Sequence, residues 1–135
     1  MDELEDVPMP EGELSLRLFA QQQDANLYGD ISGGWLVAQM DLAAEMAAGR
    51  LAQGRTATVA IHEMDFLSPV KIGSQVNIYT RVLDVGHSSM RIQVEVWILP
   101  PHERDPRAVH KVTEALFVMV AIDKNGRIRA VPTEL

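Results

Sequence analysis

The chain has 135 residues, 47% of them hydrophobic, a formal charge of −7 and no cysteine. Such a length and composition suit one compact domain. They exclude disulfides, thiolate metal ligands and a cysteine nucleophile, and the negative balance argues against non-specific nucleic-acid binding.

Residues 1–13 read as a flexible acidic lead-in. Asp2, Glu3, Glu5, Asp6, Glu11 and Glu13 carry most of the net charge, with no Lys or Arg among them. A signal peptide would be basic and then apolar here. No apolar run approaches the ~20 residues that span a bilayer, so a cytoplasmic protein is expected. Residues 14–135 then read as one domain.

L-S-L-R-L-F-A (14–20) alternates apolar and polar residues, which predicts a short strand with Leu14, Leu16, Leu18 and Ala20 on one face. Residues 23–30 are turn-rich. Residues 33–51 predict one long helix, capped by Ser32 or Asp30 and ended by Gly49 and Gly54. Trp35 stands three places after Ser32, so there is no capping box. Leu36, Met40, Ala43 and Ala47 form one helical stripe; Val37, Ala44 and Ala48 form the next. So broad an apolar surface needs cover on more than one side.

After Gly54 the pattern becomes extended. Residues 56–67 form one strand, 68–74 a connection, and 75–85, 89–99 and 109–123 three long alternating strands. V-G-H-S and Asn125-Gly126 suit tight turns, and 100–107 is a polar loop. One helix against one antiparallel sheet gives a two-layer α+β domain. The long last strand calls for strong twist or curvature. Six of the twelve Lys and Arg lie beyond Pro101: Arg104, Arg107, Lys111, Lys124, Arg127 and Arg129. They offer a basic patch for an anionic ligand, or for any one of them simply a solvated surface.

Asp41 is the most telling single residue. It stacks on Val37 and precedes Ala44 and Ala48 on the same face. Asp is a poor mid-helix residue, and Glu45 one turn later repels it. On pattern alone, a wet position at the helix rim is the default. Gly33-Gly34 is either a tight turn or a helix start whose free N–H groups polarise a carbonyl oxygen. Asn26 is a turn former, or an amide that holds water or a substrate oxygen. His62, His87, His102 and His110 show no metal-ligand spacing. No P-loop, dinucleotide fingerprint or nucleophile elbow occurs.

Taken together, D-A-N-L-Y-G-D-I-S-G-G-W-L-V-A-Q-M-D (24–41), R-T-A-T-V-A-I-H-E-M-D-F-L-S-P-V-K-I-G (55–73), V-G-H-S-S-M-R-I-Q-V-E-V-W (85–97) and K-V-T-E-A-L-F-V-M-V-A-I-D-K-N-G-R (111–127) resemble the YciA-type acyl-coenzyme A thioesterases. The resemblance runs from Leu14 to Pro132, several motifs in one order. It implies the hotdog fold, a curved antiparallel sheet wrapped around the long helix. It also implies a dimer joined sheet edge to sheet edge, assembled into a homohexamer, with active sites between subunits.

Carried over by position, the resemblance implies that Asp41 is the catalytic aspartate and Asn26 the active-site asparagine. The helix-start amides at Gly33 and Gly34 would receive the thioester oxygen, and Gly86, His87, Ser88 and Ser89 would lie near the coenzyme A phosphates. Here His87 stands where the family usually has arginine, Ser32 where it has phenylalanine, and Ser74 where it has aspartate. Asp41 would act as general base on water or attack directly to form an anhydride. Asn26 of a neighbouring subunit would position the water. The resemblance implies no metal and no cofactor, coenzyme A being part of the substrate. A non-catalytic acyl-coenzyme A sensor of the same fold is the alternative. A hydratase is disfavoured because no histidine precedes residue 62.

Overall fold

The computed structural model describes residues 8–133. Residues 1–7 of the expected acidic lead-in lie outside that range. β1 (Glu13–Phe19) leads through a short 3-10 turn at Gln22–Asp24 to α1 (Gly33–Ala52). Four strands follow: β2 (Thr56–Phe66), β3 (Gln75–Val85), β4 (Ser89–Leu99) and β5 (His110–Ala121). They form one sheet in the order β1-β3-β4-β5-β2, every neighbouring pair antiparallel. α1 touches all five strands, so the sheet curls around it. This is the α+β architecture expected from the sequence.

The two helical stripes explain that wrapping. Leu36, Met40, Ala43, Ala44, Ala48 and Ala52 are buried. They meet Val76 and Ile78 of β3, Met90, Ile92, Val94 and Val96 of β4, and Phe117 and Met119 of β5. Alanine keeps the helix thin enough for a sheet to close over it, while the large strand residues fill the space between. Each fully buried Met or Phe contributes about 1.5–3 kcal/mol by leaving water.

Ser32 caps α1, its side chain accepting from the Trp35 amide at 3.2 Å. Ser32→Ala removes that acceptor and is expected to lower stability by ~1 kcal/mol, read as a fall in Tm. A Tm equal to the native one would show that the cap carries no weight.

Three local details differ from the expectation. Gly49 does not end the helix; the strong helix formers around it carry α1 on to Ala52. Gln53 then turns left-handed (φ 54°) and the Gly54 amide closes on the Gly49 carbonyl at 3.3 Å. In β1 a bulge between Leu14 and Leu16 turns Leu14 outward, leaving Leu16 and Leu18 on the core. β5 has 12 residues, because the chain turns at Asp123–Arg127. There the Asp123 carboxylate accepts from the Arg127 and Asn125 amides, which hold its pKa below the ordinary value, Arg127 first.

On the outer face of the sheet, Glu95 is buried and accepts from the Trp97 indole at 2.8 Å and the Glu11 amide at 3.4 Å. The end of the lead-in is therefore laid on the sheet. β2 is an edge strand, and Val59, Ile61, Phe66 and the following Leu67 are exposed along it.

Candidate active site

Asp41 sits in the middle of α1 and is half-buried. Its Oδ1 accepts a hydrogen bond from the Thr58 hydroxyl of β2. Thr58 pairs with Met119 in the sheet, and its oxygen lies 3.3 Å from Met119 Sδ. A bulge follows Thr58, where the register slips before Ala60. Bulges re-aim the side chains that follow them; the Thr58 hydroxyl itself faces the helix. Asp41 is thus neither a free rim carboxylate nor an unpaired buried one. One oxygen is held by Thr58, and among the described residues nothing bonds the other.

Asn26 lies in the loop before α1. Its Oδ1 accepts from the Tyr28 amide at 2.8 Å and the Asp30 amide at 3.1 Å, and its own amide donates to the Asp30 carbonyl at 2.8 Å. The turn-forming role is therefore present. It uses only the oxygen; the side-chain NH2 is exposed and has no partner among the described residues. A bridge between Ala25 and Ile31 ties this loop to the helix start. The loop also lifts Leu27 and Tyr28 into solvent, at 97% and 86% exposure.

Helix starts carry orphan N–H groups. Ser32 takes the Trp35 amide with its side chain and the Leu36 amide with its carbonyl. The Gly33 and Gly34 amides are left without a partner among the described residues. Gly33 borders a cleft of about 420 Å³ shared by Ile31, Leu36, Phe66, Leu67 and Val70. At Gly33 a Cβ would lie 2.9 Å from Phe66 Cζ, so a side chain there would need the half-exposed Phe66 ring to move.

Gly86–Ser89 forms the tight turn between β3 and β4, closed by the Gly86 amide on the Ser89 carbonyl at 2.7 Å. The His87 carbonyl accepts from the Val131 amide and the Ser88 carbonyl from the Ala121 amide. Because Ala121 pairs with Thr56, this turn lies at the same end of the sheet as the start of β2, two residues from Thr58.

One chain therefore carries two half-sites. Asn26, Gly33 and Gly34 stand together at the helix start. Asp41 and Thr58 stand together farther along, with the Gly86–Ser89 turn beyond. Eight residues separate Gly33 from Asp41, about 12 Å of helix at 1.5 Å per residue. Half of the expected basic patch is committed elsewhere: Arg107 pairs with Asp105, Lys111 with Glu114, and Arg129 donates to the Ile122, Ala130 and Ala52 carbonyls. Thr58 is the site residue that sequence reasoning missed. As one threonine in T-A-T-V it carries no signal; only the packing of β2 on α1 reveals it.

Comparison with known proteins places this fold. Residues 28–104 match the family model of the thioesterase superfamily. The acyl-CoA thioester hydrolase YciA of Escherichia coli is 42% identical over 126 residues, spanning 93% of this chain and 96% of that protein. A hexameric broad specificity acyl-coenzyme A thioesterase superposes with a TM-score of 0.89 at 41% identity, over 94% of this chain and 86% of that one. An aspartate-to-alanine mutant of that enzyme superposes at 0.86, over 92% and 89%, again at 41% identity. The hexameric thioesterase of Yersinia pestis gives 0.85 at 42% identity, over 93% and 100%. With its sheet order, central helix and sequence all in agreement, this chain belongs to the thioesterase superfamily, among the YciA-type proteins of hotdog fold.

Proposed function

We propose that the chain is a cytoplasmic acyl-CoA thioesterase, releasing a free acid and coenzyme A, and that it works as a homodimer assembled into a homohexamer. The observation that carries this reading is the division of the site. An oxyanion cradle with a free amide donor begins about 12 Å along the helix axis from the residue whose carboxylate would activate water. At that spacing along one helix, a second copy is the readier way to bring both groups onto one carbonyl carbon. A second copy brought to the β2 edge, which lies beside Asp41 and Thr58 and exposes Val59 and Ile61, would set its own helix start against them. Pairing would also cover an edge that a lone domain must otherwise protect. The similar solved thioesterases are hexameric.

In that composite site, Gly33 and Gly34 receive the thioester oxygen as it becomes negative; one such donor typically contributes ~3 kcal/mol to the transition state. Asn26 of the partner subunit holds the water. Asp41 takes its proton, or attacks the carbonyl itself. Thr58 fixes one carboxylate oxygen and leaves the other for the reaction. Water is the only co-substrate needed, since a thiolate leaves readily. Gly86, His87, Ser88 and Ser89 line the path of the coenzyme A phosphates. His87 offers less permanent charge than arginine, which favours the second reading, an acyl-CoA sensor without turnover.

Thiol release from acyl-CoA substrates of graded chain length separates the two. Turnover supports the hydrolase; tight binding with no release supports the sensor. In the hydrolase, Thr58→Val keeps the shape and loses the donor, so kcat should fall about tenfold, the ~1.4 kcal/mol of one hydrogen bond to a charged group, with KM unchanged. Thr58→Ser should restore most of it. Native kcat in Thr58→Val would remove Thr58 from the mechanism.

A further inference from the structure

A second cavity, of about 520 Å³, opens at the end of the sheet opposite the Gly86–Ser89 turn. It lies between the link after β2, the start of β3, the end of β4 and the start of β5. Pro69, Ile98 and Pro101 give it apolar walls. Four polar residues reach it: Ser68, Ser74, Lys71 and His110. Its size and its few polar groups in an apolar lining are those of small-ligand sites.

The serines are the unusual feature. Ser74 is wholly buried, at 0% exposure. Its amide donates to the Lys71 carbonyl and its own carbonyl accepts from the Ala20 amide, so its backbone is satisfied. Its hydroxyl is not: Ser74 Oγ and Ser68 Oγ are both buried with no hydrogen-bond partner among the described residues. Buried hydroxyls are normally paired, and a pair of orphans on one cavity calls for a ligand with oxygen acceptors. Lys71 and His110 make that acceptor an anion, and no carboxylate lines the cavity to oppose one.

We propose that this cavity binds a short aliphatic carboxylate. The carboxylate oxygens accept from the Lys71 ammonium, with His110 alongside, and from the Ser68 and Ser74 hydroxyls once these turn from their sealed positions toward the ligand; the alkyl chain lies on the proline walls. The cavity shares Ser68 and Pro69 with the cleft at the helix start. An acid released there has this site next to it; that origin for the ligand rests on the hydrolase reading, while the binding itself does not.

The test is calorimetric titration of the full chain in its native assembly with sodium hexanoate and, separately, with 1-hexanol. Hexanoate should saturate at one per chain, with hexanol about tenfold weaker or undetected, as expected when charge-assisted hydrogen bonds are lost. Lys71→Met and the Ser68→Ala/Ser74→Ala pair should each weaken hexanoate by about fivefold or more at native Tm, since each removes donors to the anion. Removing an unpaired buried hydroxyl should not destabilise the fold. If the serine pair does not fold, Lys71→Met, at the exposed rim, decides alone. Absent hexanoate binding, or binding that these variants leave unchanged, overturns the proposal. Thioester turnover in the same preparations is scored separately: binding without turnover sinks the hydrolase reading alone, and turnover without binding sinks the cavity alone.

Discussion

Asp41→Ala should lose thioester hydrolysis almost entirely, with kcat down by ~10³-fold or more and KM little changed. Asp41 stands on α1 and its carboxylate accepts from Thr58 of β2, which fixes its orientation. Removing it takes away the group that activates water while leaving the oxyanion cradle and the cleft untouched. The fold should not suffer. Asp is a poor mid-helix residue and alanine the best, so Tm should hold or rise slightly. Thiol release and a thermal melt on the same preparation check both halves. Undiminished turnover would remove Asp41 from the mechanism. A collapsed Tm would mean that the Asp41–Thr58 bond is structural.

The second large effect is complementation. Asn26→Asp keeps the oxygen that accepts from Tyr28 and Asp30 but loses the free NH2. Alone it should be nearly inactive, as should Asp41→Ala. Co-folded in equal amounts, the two should recover about a quarter of native activity. Half of randomly formed two-fold dimers are mixed, and each mixed dimer has one site with both groups intact. A site contained within one chain would recover nothing, because every chain in the mixture carries a lesion. The measurement therefore reads the composite site directly.

Much of the architecture was legible because it rests on long periodic segments. The alanine-rich stripes of 33–51 and the alternation in 75–85 and 89–99 repeat often enough to override local exceptions. Ser32 was legible as a cap because its type and place suffice. The misreadings come from single residues. Gly49 looks like a stop, but the strong helix formers around it outweigh one glycine. Leu14 looks inward until a bulge slips the register by one. The Asn26, Gly33, Gly34 and Asp41 assignments came from resemblance to a family, since Gly-Gly and a lone Asp each have a plain structural explanation.

By itself the sequence determined the kind and order of the elements, the helix cap and membership of the family, because these depend on residues near one another in the chain or on motifs in fixed order. Tertiary structure alone decided which groups meet. Asp41 and Thr58 are 17 residues apart and are joined only where β2 folds back on α1. Asp41 and Gly33 are neighbours in sequence, yet a rigid helix holds them about 12 Å apart. That spacing can be counted along the chain, but which strand closes over Asp41 cannot, because the contact depends on how β2 packs on α1.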